Sequence, residues 1–169
     1  NARGDLRSTD IQERVSEILQ DSGYPDLPGG TAGFISRYLN APESILVLQG
    51  PPGTGKTQLI RAILAELTVQ QGEQVRAMYT NDADVLQSDD YFIEFSRSTA
   101  HALVIEDADH YLTPRSEGNK EMHRFLSASD GIVRSGKRKI IFSTNLPGLR
   151  DIDDALVRPG RCFAHVRLR

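Results

Sequence analysis

Hydrophobic and polar positions along the chain change period near residue 44. Before it, Ile11, Val15, Ile18 and Leu19 recur at helical spacing and predict a short amphipathic helix over Thr9 to Leu19. Phe34, Ile35, Tyr38 and Leu39 predict a second helix, closed by Asn40-Ala41-Pro42, with a Gly- and Pro-rich loop from Asp21 to Gly30 between the two. After residue 44, apolar runs and helical patterns take turns. Strands are predicted at Ser44–Leu48, Gln74–Tyr79, Ala102–Ile105, Lys139–Ser143 and Phe163–Leu168, and helices at Lys56–Val69, Ala83–Thr99 and Asn119–Val133. The near-continuous apolar character of Ala102–Ile105 suits a strand covered on both faces. Strands alternating with helices imply an α/β fold with a parallel sheet joined by right-handed crossovers. No internal repeat or low-complexity segment interrupts the pattern.

Composition narrows the class without naming a function. A chain of 169 residues, 38% hydrophobic and 25% charged, is sized and composed as one ordinary globular domain. A formal charge of −3 does not mark a dedicated nucleic-acid binder. The charge is uneven: basic residues outnumber acidic ones from Arg134 to Arg169, whereas Asp82 to Glu94 carries acids only. These are either two solvated faces or flanks of opposite sign that meet between identical subunits. A single cysteine, Cys162, excludes an internal disulfide and a CxxC zinc pair, which fits a reducing, cytoplasmic compartment. No apolar run approaches the roughly 20 residues of a membrane span. His101, His110, His123 and His165 lack metal-ligand spacing, and Ser98 and Ser143 lack a nucleophile-elbow context.

The sharpest chemical signal is Gly50-Pro51-Pro52-Gly53-Thr54-Gly55-Lys56-Thr57, which matches GxxxxGK[ST], leaves an apolar strand and opens a helix. Gly53 and Gly55 let main chain approach phosphate oxygens. The amides of Thr54 to Thr57 can turn into the concavity at the positive helix end. Lys56 is suited to lie between the β- and γ-phosphates and Thr57 to offer its hydroxyl to Mg²⁺, so ATP and Mg²⁺ are expected on Gly50 to Gln58. The fold expected is a three-layer P-loop NTPase, a five-stranded parallel sheet flanked by helices. Glu106, Asp107 and Asp109 close the third strand, where such an enzyme needs one carboxylate near the metal and another to orient and deprotonate water.

Gly50 to Thr57, with its double proline, and Val104-Ile-Glu-Asp-Ala-Asp109 together resemble an AAA+ ATPase core, and specifically the AAA subgroup proper. That family usually places Asp before Glu at the acidic pair. By position, the resemblance gives Glu106 the metal role and Asp107 the base role; a second register makes Asp107 the metal carboxylate and Asp109 the base. The swapped order resembles the branch containing the mitochondrial Rieske-protein translocase. The resemblance places Asn145, after Ile140-Ile-Phe-Ser-Thr, at the first sensor position, where an amide meets the γ-phosphate or the attacking water. Asp153-Asp-Ala-Leu-Val-Arg158-Pro-Gly-Arg161 is similar to the family's second region of homology, so Arg158 and Arg161 match arginines that enter a neighbour's site. A trans arginine implies a homo-oligomer, a ring such as a hexamer.

The resemblance covers Ser44 to Arg169. Residues 1–43 are expected to form a helical or linker segment leading to the adenine site, with Tyr24 to Gly30 passing over the base. Two parts of a threading machine are missing from the pattern. Tyr91 and Phe92 have no glycine after them, so they read as a packing face rather than a pore loop. The C-terminal helical lid with a second sensor arginine, which the resemblance places after the fifth strand, is expected to have been cut away or disordered. With no Met at Asn1, the chain is expected to be a fragment, poorly active alone. The function expected is an ATP hydrolase that remodels a protein partner. Its alternatives are a nucleic-acid-associated factor using Arg134-Ser-Gly-Lys-Arg-Lys139, and a nucleotide-dependent scaffold without turnover.

Overall fold

In the computed structural model, the apolar runs become strands of one sheet whose alternate residues feed two separate hydrophobic layers. The structure describes residues 7–10, 24–25, 27–72, 75–80, 95, 97–112, 138–148, 156–158 and 160–169. The elements are β1 (Arg7–Asp10), α1 (Thr31–Asn40), β2 (Ile45–Gln49), α2 (Lys56–Gln71), β3 (Arg76–Thr80), β4 (Ala102–Ile105), α3 (Asp109–Leu112), β5 (Lys139–Thr144) and β6 (Cys162–Arg167). The sheet runs β1-β3-β4-β5-β2-β6, and β3, β4, β5, β2 and β6 pair in parallel, as the sequence pattern predicts.

Ile45, Val47, Leu103, Ile105, Ile140 and Phe142 enter one layer, completed by Phe95, Leu112 and Leu156. Their strand neighbours Leu46, Leu48, Val104 and Ile141 enter the other, against α1 and α2. This period of two explains why the runs Ile45–Leu48, Ala102–Ile105 and Ile140–Phe142 are apolar at every position. In α2, Leu59, Ile60, Ile63, Leu64 and Leu67 form the buried stripe, and Gly72 stops the helix in a left-handed conformation with its N–H on the Thr68 and Val69 carbonyls. Tyr24 and Leu27 are buried in the same layer, so the loop that holds them packs with α1 and α2.

The first predicted helix is corrected at its start. Thr9 and Asp10 are extended and pair antiparallel with Ala77 and Arg76 of β3. Apolar periodicity begins only at Ile11, whereas pairing with β3 occupies backbone groups that an open sheet edge would leave bare. The rest of that prediction, residues 11–19, lies outside the described residues, as do Tyr91, Phe92 and the helix expected over Asn119–Val133. Of the helix expected over Ala83–Thr99, Phe95 and Arg97 are described as helical. The short α3, which holds Asp109, was not read from the sequence. Among the described residues, no helix is long and apolar enough to cross a membrane.

Residues 134–137 of the basic stretch that runs into β5 lie outside the described residues, and its last two members are structural ties. The Arg138 guanidinium lies 3.8 Å from the Phe95 ring centre, and its Nε donates to the Ala100 carbonyl at 3.0 Å. Lys139 is buried, and its Nζ donates to the Ala41 and Glu43 carbonyls at 3.0 Å each. Burial pushes the Lys139 ammonium down to about 8, with Glu43 opposing the shift. A lysine that binds its proton less tightly folded than unfolded favours the folded state more as pH rises from that value towards 10.5. The stability advantage of wild type over Lys139→Met should therefore grow by on the order of 1–3 kcal/mol between neutral and alkaline pH. Denaturant titrations at both extremes measure this, and an advantage that stays constant rules it out.

Candidate active site

The chemistry predicted from the sequence gathers along the carboxyl edge of the sheet. Past the end of β2, the Gly50 N–H donates to the Thr144 carbonyl of β5 at 3.1 Å, so the loop departs in register with its neighbour. The loop ends at Gly55, which caps α2 in the left-handed region at φ 86° without any side-chain cap. The first-turn N–H groups therefore remain for an anion, at the positive end of a 16-residue helix. Tyr24 supports the turn from its buried side, its hydroxyl donating to the Gly55 carbonyl at 2.9 Å. A Cβ at Gly55 would lie 2.6 Å from that hydroxyl oxygen. The Lys56 Nζ donates to the carbonyls of Gly50 at 2.6 Å and Pro51 at 2.9 Å. Burial lowers the Lys56 ammonium below its ordinary value, while Asp107, Asp109 and Glu106 pull it back up.

The acidic side is held by β4 and its two neighbours. Glu106 continues the ladder, its N–H donating to the Thr80 carbonyl at 2.9 Å. One carboxylate oxygen accepts from the Thr57 hydroxyl at 3.0 Å, and the other accepts from the Tyr79 hydroxyl. Burial first, then Glu106 and Asp107, push the Tyr79 hydroxyl well above its ordinary value, so it stays protonated and a donor. Asp107 is exposed and adopts φ 52°, the single positive value among described non-glycine residues. Holding a non-glycine residue there costs on the order of 1 kcal/mol. The neighbouring Ala108 N–H, bound to the Ser143 carbonyl at 2.9 Å, fixes the turn. Asp109 accepts from the Thr144 hydroxyl at 2.8 Å and the Asn145 N–H at 3.0 Å.

Gly50 to Thr57, Glu106, Asp107 and Asn145 thus meet at one edge of the sheet. Pro51, Pro52, Gly53 and Gln58 are exposed there, and Thr54 is half-buried. Arg158 and Arg161 do not join them. The Arg161 carbonyl accepts from the N–H of Ile45, the first residue of β2, at the opposite edge. The four residue steps of β2 separate the two edges by about 13 Å of strand. Sequence reasoning missed Tyr24 and Tyr79 as site supports and the engagement of Asp109 with the end of β5. It also passed over Gln49, whose signal was a polar residue closing an apolar strand directly before the glycine loop.

Residues 46–169 match the family model described as ATPase family associated with various cellular activities (AAA). The ATPase family gene 2 protein of Schizosaccharomyces pombe is 29% identical over 163 residues, 90% of this chain and 20% of that protein. The proteasome-activating nucleotidase of Methanocaldococcus jannaschii is 32% identical over 172 residues, 94% of this chain and 39% of that protein. A chain in the E. coli MS115-1 HORMA:CdnC:Trip13 complex shares the fold with a TM-score of 0.55 at 20% identity, covering 83% of this chain and 52% of that one. The chain spans between 20% and 41% of the length of the curated relatives it matches first.

The loop geometry separates two glycines of similar φ. Gly53 (φ 83°) has open space where a Cβ would be built, whereas Gly55 (φ 86°) faces Tyr24. Gly53→Ala should cost about 1–2 kcal/mol from backbone conformation alone. Gly55→Ala should cost a further 1–3 kcal/mol, roughly, from overpacking. Tyr24→Phe in the same chain should recover much of that excess. Thermal unfolding of the single and double variants measures the cycle, and equal costs at the two glycines would refute the Tyr24 contact.

Proposed function

The chain belongs to the AAA family of ATPases, and from that premise we propose that Mg-ATP binds on Gly50–Gln58 and is hydrolysed where two subunits meet. Family membership makes it a nucleotide-binding ATPase core, an ATP hydrolase by kind. What supports the interfacial reading is the position of Arg158 and Arg161 on the sheet edge away from their own phosphate loop. Only a second copy can bring such arginines to the γ-phosphate. This favours a homo-oligomeric ring, a hexamer among the arrangements that close.

Thr57 and Glu106 suit Mg²⁺, because they bring two hard oxygens together at 3.0 Å. Mg²⁺ typically takes one or two protein oxygens and completes its shell with phosphate and water. When bound, the ion neutralises charge on the β- and γ-phosphate oxygens. The chain's own residues do the rest. Loop amides grip the phosphates, and Lys56 exchanges the Gly50 and Pro51 carbonyls for phosphate oxygens. Asp107, exposed on its strained turn, orients water and takes its proton. Asn145, its main chain fixed by Asp109, meets the γ-phosphate. Because Asp109 already accepts from two donors, Asp107 is the better base.

We take residues 44–169 as the ATPase core and 1–43 as the segment leading to the adenine. The lone cysteine suits a reducing, cytoplasmic compartment. The relatives' names, a proteasome-activating nucleotidase and a Trip13 complex with other proteins, favour work on a protein partner. The nucleic-acid alternative is weakened because Arg138 and Lys139 are engaged within the fold.

In the complete protein, Lys56→Ala should abolish the heat of Mg-ATP binding in calorimetry. Asp107→Asn should retain binding and lose turnover by about 100-fold or more. Arg161→Ala should lose on the order of 10³-fold. Mixing Asp107→Asn with Arg161→Ala subunits should restore phosphate release above that of either alone, because one interface in the mixture carries both intact residues. A mixture no more active than its parts would overturn the trans assignment.

A further inference from the structure

Gln49 closes β2 immediately before the phosphate loop and is 1% exposed in an otherwise apolar strand. Its side-chain nitrogen donates to the Leu146 carbonyl at 2.6 Å and the Gly148 carbonyl at 2.8 Å. With both N–H groups committed, the amide oxygen can only accept, and His165 Nε2 of β6 lies 2.6 Å from it. The ring must therefore carry a proton on Nε2. Burial, then the charge of Arg167, lowers the His165 imidazolium below its ordinary value, and the neutral ring still supplies that one N–H. Arg167, also on β6 and exposed, donates to the Pro147 carbonyl at 3.1 Å. Three successive carbonyls after Asn145 are thus each held by a side chain of the β2–β6 pair. From the other side, Asp109 holds the Thr144 hydroxyl and the Asn145 N–H. The Gln49 main chain is itself tied, its carbonyl accepting from the Leu168 N–H at 2.7 Å.

We propose that Gln49, oriented by His165 and assisted by Arg167, is a positioning residue that fixes Asn145 relative to the phosphate loop and so serves turnover rather than nucleotide binding. The inference rests on the reading of Asn145 given above. One residue spans both parts: its main chain leads directly into Gly50, while its side chain holds the segment that follows Asn145. An error near 1 Å at a reacting centre can cost about 100-fold in rate, whereas phosphate affinity comes from loop amides that Gln49 does not touch.

Gln49→Glu keeps the side-chain size but turns carboxylate oxygens towards the Leu146 and Gly148 carbonyls. In the complete protein it should lower kcat by about 10- to 100-fold while the Kd for a slowly hydrolysed ATP analogue stays within about 3-fold. Amide hydrogen exchange at Asn145 and Leu146 should accelerate by about 10-fold. Arg167→Ala, at an exposed position, should give a smaller drop with the same exchange signature, and Arg167→Lys, which can still donate, should restore both. If Gln49→Glu fails to fold, the Arg167 pair decides. Unchanged kcat and exchange would overturn the proposal, as would a loss of kcat matched by an equal loss of nucleotide affinity with exchange unaltered. A wild-type protein that releases no phosphate would instead refute the reading of the site, and the exchange rates would still show whether Gln49 holds the loop.

Discussion

Parallel pairing of β3, β4, β5, β2 and β6 is the constraint from which the site follows. It delivers every strand's carboxyl end to one edge, where loops leave side by side. The ladder does not stop with the strands. Gly50, Glu106, Ala108 and Leu168 each donate a main-chain N–H to a carbonyl of the neighbouring strand. Loops that carry the chemistry are therefore spaced by the sheet itself, at about 4.8 Å per strand. Because β5 lies between β4 and β2, Asn145 leaves the sheet between the acidic turn and the phosphate loop. Ligands of open α/β sheets gather at such carboxyl edges for this reason.

Polar groups along the carboxyl edge of the sheet tie its elements together. Tyr79 and Thr57 hold the two oxygens of Glu106, Asp109 holds the end of β5, and Gln49 holds the segment beyond it. Each joins elements from different parts of the chain. Gln49, the buried one among them, is stabilising only when fully partnered, and full partnering also fixes its geometry. The local electrostatics agree, since Lys56 loses solvation in the loop and the three acids opposite favour its charge.

The sheet also sets the two arginines proposed for catalysis apart from the phosphate loop. Arg158 and Arg161 precede β6 and so lie at its amino end, whereas the phosphate loop follows β2 and lies at its carboxyl end. On the proposed trans reading, a single subunit holds the two halves of the site facing opposite ways. On that reading, cyclic association of identical copies would place one half against the other, and self-association would be part of the chemistry.

Much of this was legible in the residues. Three continuous apolar runs announced the central strands β2, β4 and β5, because burial on both faces demands apolar side chains there, and β3 and β6 were read from more mixed patterns. The phosphate loop was legible because glycine is needed where the backbone turns left-handed at Gly55, and the acidic turn because Glu106 and Asp107 end an apolar run. The strand β1 was not, since Arg7–Asp10 has no apolar alternation and is extended through its pairing with β3. The partners of the site residues were not legible either. Thr57 and Glu106 are 49 residues apart, Tyr79 and Glu106 are 27 apart, and Gln49 and His165 are 116 apart. Periodicity and turn chemistry report what a residue requires of its own backbone and its own face. Which distant side chain meets it depends on strand order and register, and those are decided only when the two hydrophobic layers pack.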